Sequence, residues 1–132
     1  MNAFTHIAIN CHDKFAQERF YTKHLGFKRC RTFNRGQPNE FFLLRLGSMR
    51  LELFTGGKAT VNDKGGEQAI GFKHLAFEVP KLEPVLDALL ADGVDCDKII
   101  EVPHLAPGAR ILFFRDPEGN IIELMENYRD EE

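Results

Sequence analysis

"GFKHLAFEVP" at residues 71–80 decides the fold once it is set beside "FTHIAINCHD" at residues 4–13. Each is a run of strand-forming residues with one histidine embedded in it. Aligned on His6 and His74, "THIAI" and "KHLAF" stand 68 residues apart. A second echo, "RLELF" at 50–54 and "IIELM" at 121–125, places Glu52 on Glu123 at an offset of 71 residues. Self-similarity at a nearly fixed offset marks an internal duplication. The difference of three residues between the two offsets fits a change of loop length.

Working outward, the two halves show the same order of elements. The first half opens with a strand over 4–10, and Asp13 is suited to cap a helix that runs to about Leu25 and stops at Gly26. Strands follow over 27–34, 40–47 and 49–54; "FKRCRTFN" has the weakest apolar signature of the three. "TGGKATVNDKGGEQ" at 55–68 holds four glycines and no periodicity, which reads as a linker or mobile loop. The second half repeats the order with a strand over 71–79 and a helix over 81–92. Leu82, Val85, Leu86, Leu89 and Leu90 form the helical stripe, and Gly93 ends it. Three more strands are expected over 95–102, 109–115 and 120–126, the last two joined by the turn "DPEGN". The expectation is an α+β fold of two strand–helix–three-strand units. It occupies a single domain, 1–132, with module one at 4–54, a linker at 55–70 and module two at 71–126.

Bulk properties narrow the function classes. A chain of 132 residues is one domain's worth and buries a real core. Apolar residues at 43% and charged residues at 28% are ordinary for a globular protein, and a net charge of −3 gives no basic footprint for nucleic acid. Cys11, Cys30 and Cys96 form no CxxC pair, and their odd number fits a reducing compartment. "MNAFTHIAIN" lacks the basic region and apolar stretch of a signal peptide, and no apolar run approaches a membrane span of about 20 residues. A cytoplasmic protein without membrane or nucleic-acid partners is expected.

Each repeat offers one His on its first strand and one Glu on its last: His6 with Glu52, and His74 with Glu123. Strand alternation sets Leu51 and Leu53 on one face and Arg50, Glu52 and Phe54 on the other. In the second copy Ile122 and Leu124 oppose Ile121, Glu123 and Met125. If helices cover the leucine faces, both carboxylates point to the concave side of the sheet. Carboxylates there cost several kcal/mol unless paired or bound to a cation. Arg45, Arg50, Arg110 and Arg115 are candidate partners, and a lone His on a strand is more often structural than a ligand. The recurrence of all four residues at matching places favours a metal. Two imidazoles and two carboxylates make a neutral shell for a divalent ion, with two positions left for water or substrate. Asn10 shares the strand face of His6; His12 and His24 are read as loop and helix-face residues, and His104 lies in a Pro-rich loop within reach of a substrate.

"FTHIAIN", "ERFYTKHLGFK", "RLELF", "FKHLAFEV" and "FFRDPEGNIIELME" carry a family likeness over about 4–126. The sequence resembles the vicinal oxygen chelate superfamily (glyoxalase, bleomycin resistance, dioxygenase), and within it glyoxalase I, the lactoylglutathione lyase. The resemblance implies two paired βαβββ modules forming a cupped mixed sheet with helices on the outside, one metal, and commonly a homodimer. In many dimeric members each metal takes one module's ligands from each subunit. His6, Glu52, His74 and Glu123 fall on the family's four metal positions. The implied metal is nickel, cobalt or zinc, with manganese and iron as further candidates. Epimerase relatives carry Gln at the second ligand, ring-cleaving dioxygenases use two His and one carboxylate with Fe(II), and bleomycin-resistance proteins have lost the metal. Glu52 matches the glyoxalase set.

Two positions depart from the pattern. Bacterial glyoxalase I usually places an Arg four residues past the first His to grip the glutathione carboxylate, where this chain has Asn10; its small residue three before "FY" is Gln17. Both bear on glutathione and leave the metal set intact. The leading expectation is isomerisation of a 2-oxo thiohemiacetal, the adduct of methylglyoxal with a thiol such as glutathione, to a 2-hydroxy thioester. Glu123 would be the base and Glu52 would share the proton transfer. The alternatives are an Fe(II) ring-cleaving dioxygenase or an epimerase on the same metal cup, and a non-enzymatic drug- or ligand-binding protein.

Overall fold

The computed structural model describes residues 2–58 and 70–131, which fall into two compact units, one on either side of 59–69. Most of the expected linker lies outside the described residues. In unit one the order is β1 (Ile7–Cys11), α1 (Lys14–Leu25), β2 (Lys28–Phe33), β3 (Phe41–Leu46) and β4 (Met49–Thr55). The four strands form one mixed sheet in the order β1-β4-β3-β2, with β1 parallel to β4 and the other pairs antiparallel. A parallel pair needs a crossover, and α1 supplies it.

Both ends of α1 are written in single residues. The Asp13 carboxylate accepts from the backbone N–H of Phe15 and Ala16 at 3.0 and 3.1 Å. Gly26, at φ +79°, takes the left-handed turn, and the Phe27 N–H reaches back to the Tyr21 carbonyl at 3.1 Å. Phe20, Tyr21 and Leu25 of α1 are buried, as are Phe42, Leu44, Leu51 and Leu53 of β3 and β4, so the leucine face is the helix face. Arg29 joins this side, donating to Glu18 of α1 and lying 3.6 Å from the centre of the Phe42 ring. β2 carries a bulge at Cys30: Arg29 stands opposite Leu44, and Arg31 opposite Leu43.

Unit two repeats the plan with β5 (Leu75–Glu78), α2 (Leu82–Ala91), β6 (Ile100–Glu101), β7 (Arg110–Arg115) and β8 (Ile121–Glu126). Its sheet order, β5-β8-β7-β6, and its one parallel pair, β5 with β8, match unit one. The fold is therefore α+β, two βαβββ modules each with its own four-stranded sheet. Ile122, Leu124, Leu112 and Leu82 form a fully buried helix-side core. The "DPEGN" turn is held by Asp116, whose carboxylate accepts from the N–H groups of Glu118 and Asn120 at 3.0 and 2.9 Å.

Three elements depart from expectation by more than one residue. The strand expected over 95–102 shrinks to Ile100–Glu101, preceded by one bridge between Cys96 and Phe114. "DCDK" at 95–98 crowds three charges onto what would be an edge, and short edges are how sheets avoid pairing with strangers. The first strands of the two halves begin at Ile7 and Leu75, so His6 and His74 sit immediately ahead of them and not within them. The ladder of each parallel pair starts one residue later than each histidine, at Ile7 opposite Leu51 and Leu75 opposite Ile122.

Candidate metal centre

In unit one the register places Ala8 of β1 beside Glu52 of β4, and Glu52 beside Leu43 of β3. His6 lies two residues before Ala8 and so belongs to the same face. Its Nε2 stands 3.0 Å from the Glu52 carboxylate. In unit two Ala76 stands beside Glu123, and Glu123 beside Phe113. His74, again two residues before the alanine, brings its Nε2 to 3.5 Å from the Glu123 carboxylate. Each histidine is thus set at the mouth of a parallel strand pair, and each glutamate on the face turned away from the helix.

The pairs are partly withdrawn from solvent. The Glu52 and Glu123 side chains are 17% and 12% exposed, those of His6 and His74 41% and 24%. Among the described residues neither carboxylate uses an arginine. Arg110 instead pairs with Glu83 and Glu126, and Arg115 donates to the Gly119 carbonyl at 3.1 Å. The environments of the two imidazoles differ. The His6 Nδ1 has the Thr5 hydroxyl at 3.0 Å. The His74 Nδ1 is buried with no hydrogen-bond partner among the described residues, and its ring meets Phe113 edge-on at 5.5 Å. Thr5 and Phe113 escaped the sequence reading; Thr5 was legible only as the residue next to His6, and Phe113 only through the register.

The faces around the pairs also differ. Phe33, Phe41 and Phe54 stack in one row across unit one's sheet, at 4.6 and 4.2 Å between ring centres. Asn10 stands opposite Phe54, at the end of that row. In unit two, Val102, Ala106, Ala109 and Ile111 form an apolar cluster against Phe113 and Met125, the neighbours of Glu123. His104 lies exposed in the loop carrying this cluster. His12 is exposed, and His24 packs on Phe20 of its own helix at 5.1 Å. Gln17 is fully buried on α1, on the side opposite Glu52, so it bears on helix packing.

The donor chemistry suits a divalent ion. Each unit aims an imidazole nitrogen and a carboxylate oxygen at one another, and a cation placed between them would draw on both. The buried Nδ1 of His74, with no hydrogen-bond partner among the described residues, packs against the Phe113 ring. Each unit alone supplies two donors, and no group of three or more His, Cys, Asp or Glu forms a ligand set among the described residues.

The sequence profile of the Glyoxalase/Bleomycin resistance protein/Dioxygenase superfamily matches residues 3–124. The chain belongs to this superfamily. The superfamily's members bind small molecules, many of them with a divalent metal, and often form dimers. Uncharacterized protein YwkD of Bacillus subtilis (strain 168) is 33% identical over 128 residues, covering 96% of this chain and 98% of its own. Uncharacterized protein YaeR of Escherichia coli (strain K12) is 31% identical over 123 residues, covering 92% and 93%. Among solved structures, the glyoxalase family protein from Enterococcus faecalis superposes with a TM-score of 0.75 at 31% identity, over 94% of this chain and 97% of that one. Among the described residues, no helix of this superfamily member is long and apolar enough to cross a membrane.

Proposed function

We propose that the chain is a metal-dependent, glyoxalase-like lyase that isomerises a 2-oxo thiohemiacetal, the adduct of methylglyoxal with a thiol, to a 2-hydroxy thioester. The observation that carries this reading is the doubled His–Glu pair, set at the same register in both repeats. In this reading the two units are halves of one vicinal oxygen chelate domain spanning 1–132, working as a cytoplasmic homodimer. His6, Glu52, His74 and Glu123 would hold one divalent ion, nickel, cobalt or zinc before manganese or iron, since two imidazoles favour the softer metals. When bound, such an ion supplies a Lewis acid for the negative charge spread over two neighbouring oxygens of the enediolate.

The chain's own residues then divide the proton work. Glu123 takes the proton from the carbon that bears sulfur and returns it to the neighbouring carbon, while the hydroxyl proton on the first carbon's oxygen passes to the neighbouring oxygen, so no proton is gained or lost overall. Glu52, its counterpart, shares the transfer from the other repeat. Phe113 and Met125, packed beside Glu123, exclude water that would compete for that proton. Asn10 offers no cation where bacterial glyoxalase I has its glutathione grip, which supports a thiol other than glutathione.

The test begins with elemental analysis of the purified protein. Methylglyoxal and a thiol, glutathione first, are then added with each candidate metal, and thioester formation is followed by ultraviolet absorbance. Glu123→Gln is expected to lower turnover about 100- to 10,000-fold while the fold persists. Bound metal without thioester would remove the lyase reading, and oxygen uptake in its place would select the dioxygenase branch of the superfamily.

A further inference from the structure

The face of unit one's sheet turned away from α1 carries a feature that the proton transfer does not use. Lys28 stands opposite Arg45, and Arg45 opposite Arg50, so three cations form one row across β2, β3 and β4. Arg50 is two residues from Glu52, and Arg45 two from Leu43, which puts the row on the face of the metal pair. Arg31, opposite Leu43, adds a fourth cation in the row of Glu52 itself. Like charges directly opposite one another weaken a sheet. The chain has 20 acidic residues to relieve them, yet no carboxylate among the described residues pairs with Lys28, Arg45 or Arg50. Other arginines are served: Arg29 by Glu18, and Arg110 by Glu83 and Glu126. The duplicated framework does not demand the row either, because the residue two before Glu123 is Ile121.

We propose that Arg45 and Arg50, with Lys28 behind them, form an anion-binding subsite that reads a carboxylate or phosphate group of the substrate. Guanidinium planes suit such groups because they offer paired N–H donors. Alternate residues of a strand are about 7 Å apart, so the anion lies about that far from the row of Glu52. The stacked row of Phe33, Phe41 and Phe54 lies the same step away on the other side. The substrate class is therefore bipolar, with an anion at one end, the reacting oxygens in the middle and an apolar group at the other end. The substrate part of this inference rests on the lyase reading; the anion site does not.

Two arms keep those apart. In the first, the metal-free full chain is melted in inorganic phosphate and in sodium chloride of equal ionic strength. Phosphate is expected to raise the Tm beyond the chloride control. The Arg45→Gln/Arg50→Gln double variant should lose that excess, and Arg19→Gln on α1 should keep it. No excess in the parent, or an equal excess in the double variant, overturns the site. In the second arm the metal-loaded protein receives the methylglyoxal adducts of 3-mercaptopropionate and of its methyl ester. The ratio of their kcat/KM values is expected to fall tenfold or more in Arg50→Gln, on the order of one charge-assisted hydrogen bond. An unchanged ratio overturns the assignment to substrate. A phosphate response without turnover of either adduct sinks the lyase and leaves the anion site standing.

Discussion

Thr5 and Lys73 precede the two repeated histidines, and only the first of them offers its imidazole a hydroxyl. The Thr5 hydroxyl lies 3.0 Å from the His6 Nδ1 and fixes which nitrogen faces Glu52. The His74 Nδ1 has no such partner among the described residues, and Phe113 meets that ring edge-on instead. Groups that orient a ligating histidine are worth about 10- to 100-fold in metal affinity. Thr5→Val is therefore expected to weaken metal binding by that order while changing the Tm little, because residue 5 is exposed. Titration calorimetry with zinc or nickel reads this directly. The two His–Glu pairs were legible because a duplication repeats them. The tuning of each was not, since it lives in neighbours that the two copies do not share.

At the scale of elements, α1 could be read from both ends, whereas α2 could be read only from its C-terminal end, where Gly93 turns the chain at φ +76°. Lys81 gives α2 no side-chain cap; the Leu82 N–H instead donates to the Glu126 carboxylate, 44 positions along the chain, at 2.9 Å. Arg110 donates to the same carboxylate at 2.7 Å and, with the Leu82 N–H, holds its pKa below the usual range against the opposing effect of burial. A carboxyl depressed in the folded state stabilises the fold above its unfolded pKa, and that contribution is lost as pH falls through the folded value. The Tm of the parent is thus expected to exceed that of Glu126→Gln at neutral pH and to converge with it in acid. Parallel thermal melts from neutral to low pH check this. The strand expected over 95–102 failed for a related reason, as apolar content said nothing about how few partners an edge would have. Its Asp97 N–H finds the Phe113 carbonyl at 2.9 Å, and the ladder proper waits until Ile100.

At the scale of the molecule, the duplication divides the work between two units with the same sheet order. The proposed centre makes a stoichiometric prediction. If all four ligands serve one ion, His6→Ala/Glu52→Ala and His74→Ala/Glu123→Ala should each abolish metal binding outright. Retention of half the metal by either double variant, measured by elemental analysis, would mean that each repeat binds its own. The fold was legible because strand alternation and helix periodicity carry it. The cation row was not, because the bulge at Cys30 breaks the alternation along β2: simple parity would have sent Lys28 and Arg31 to opposite sides. That spare residue also makes β2 tolerant of shortening. Deleting the single codon for Cys30 would restore an uninterrupted ladder and leave each remaining side chain of the strand on its present side. Few places inside a sheet allow the reading frame to lose an amino acid without turning everything downstream inside out.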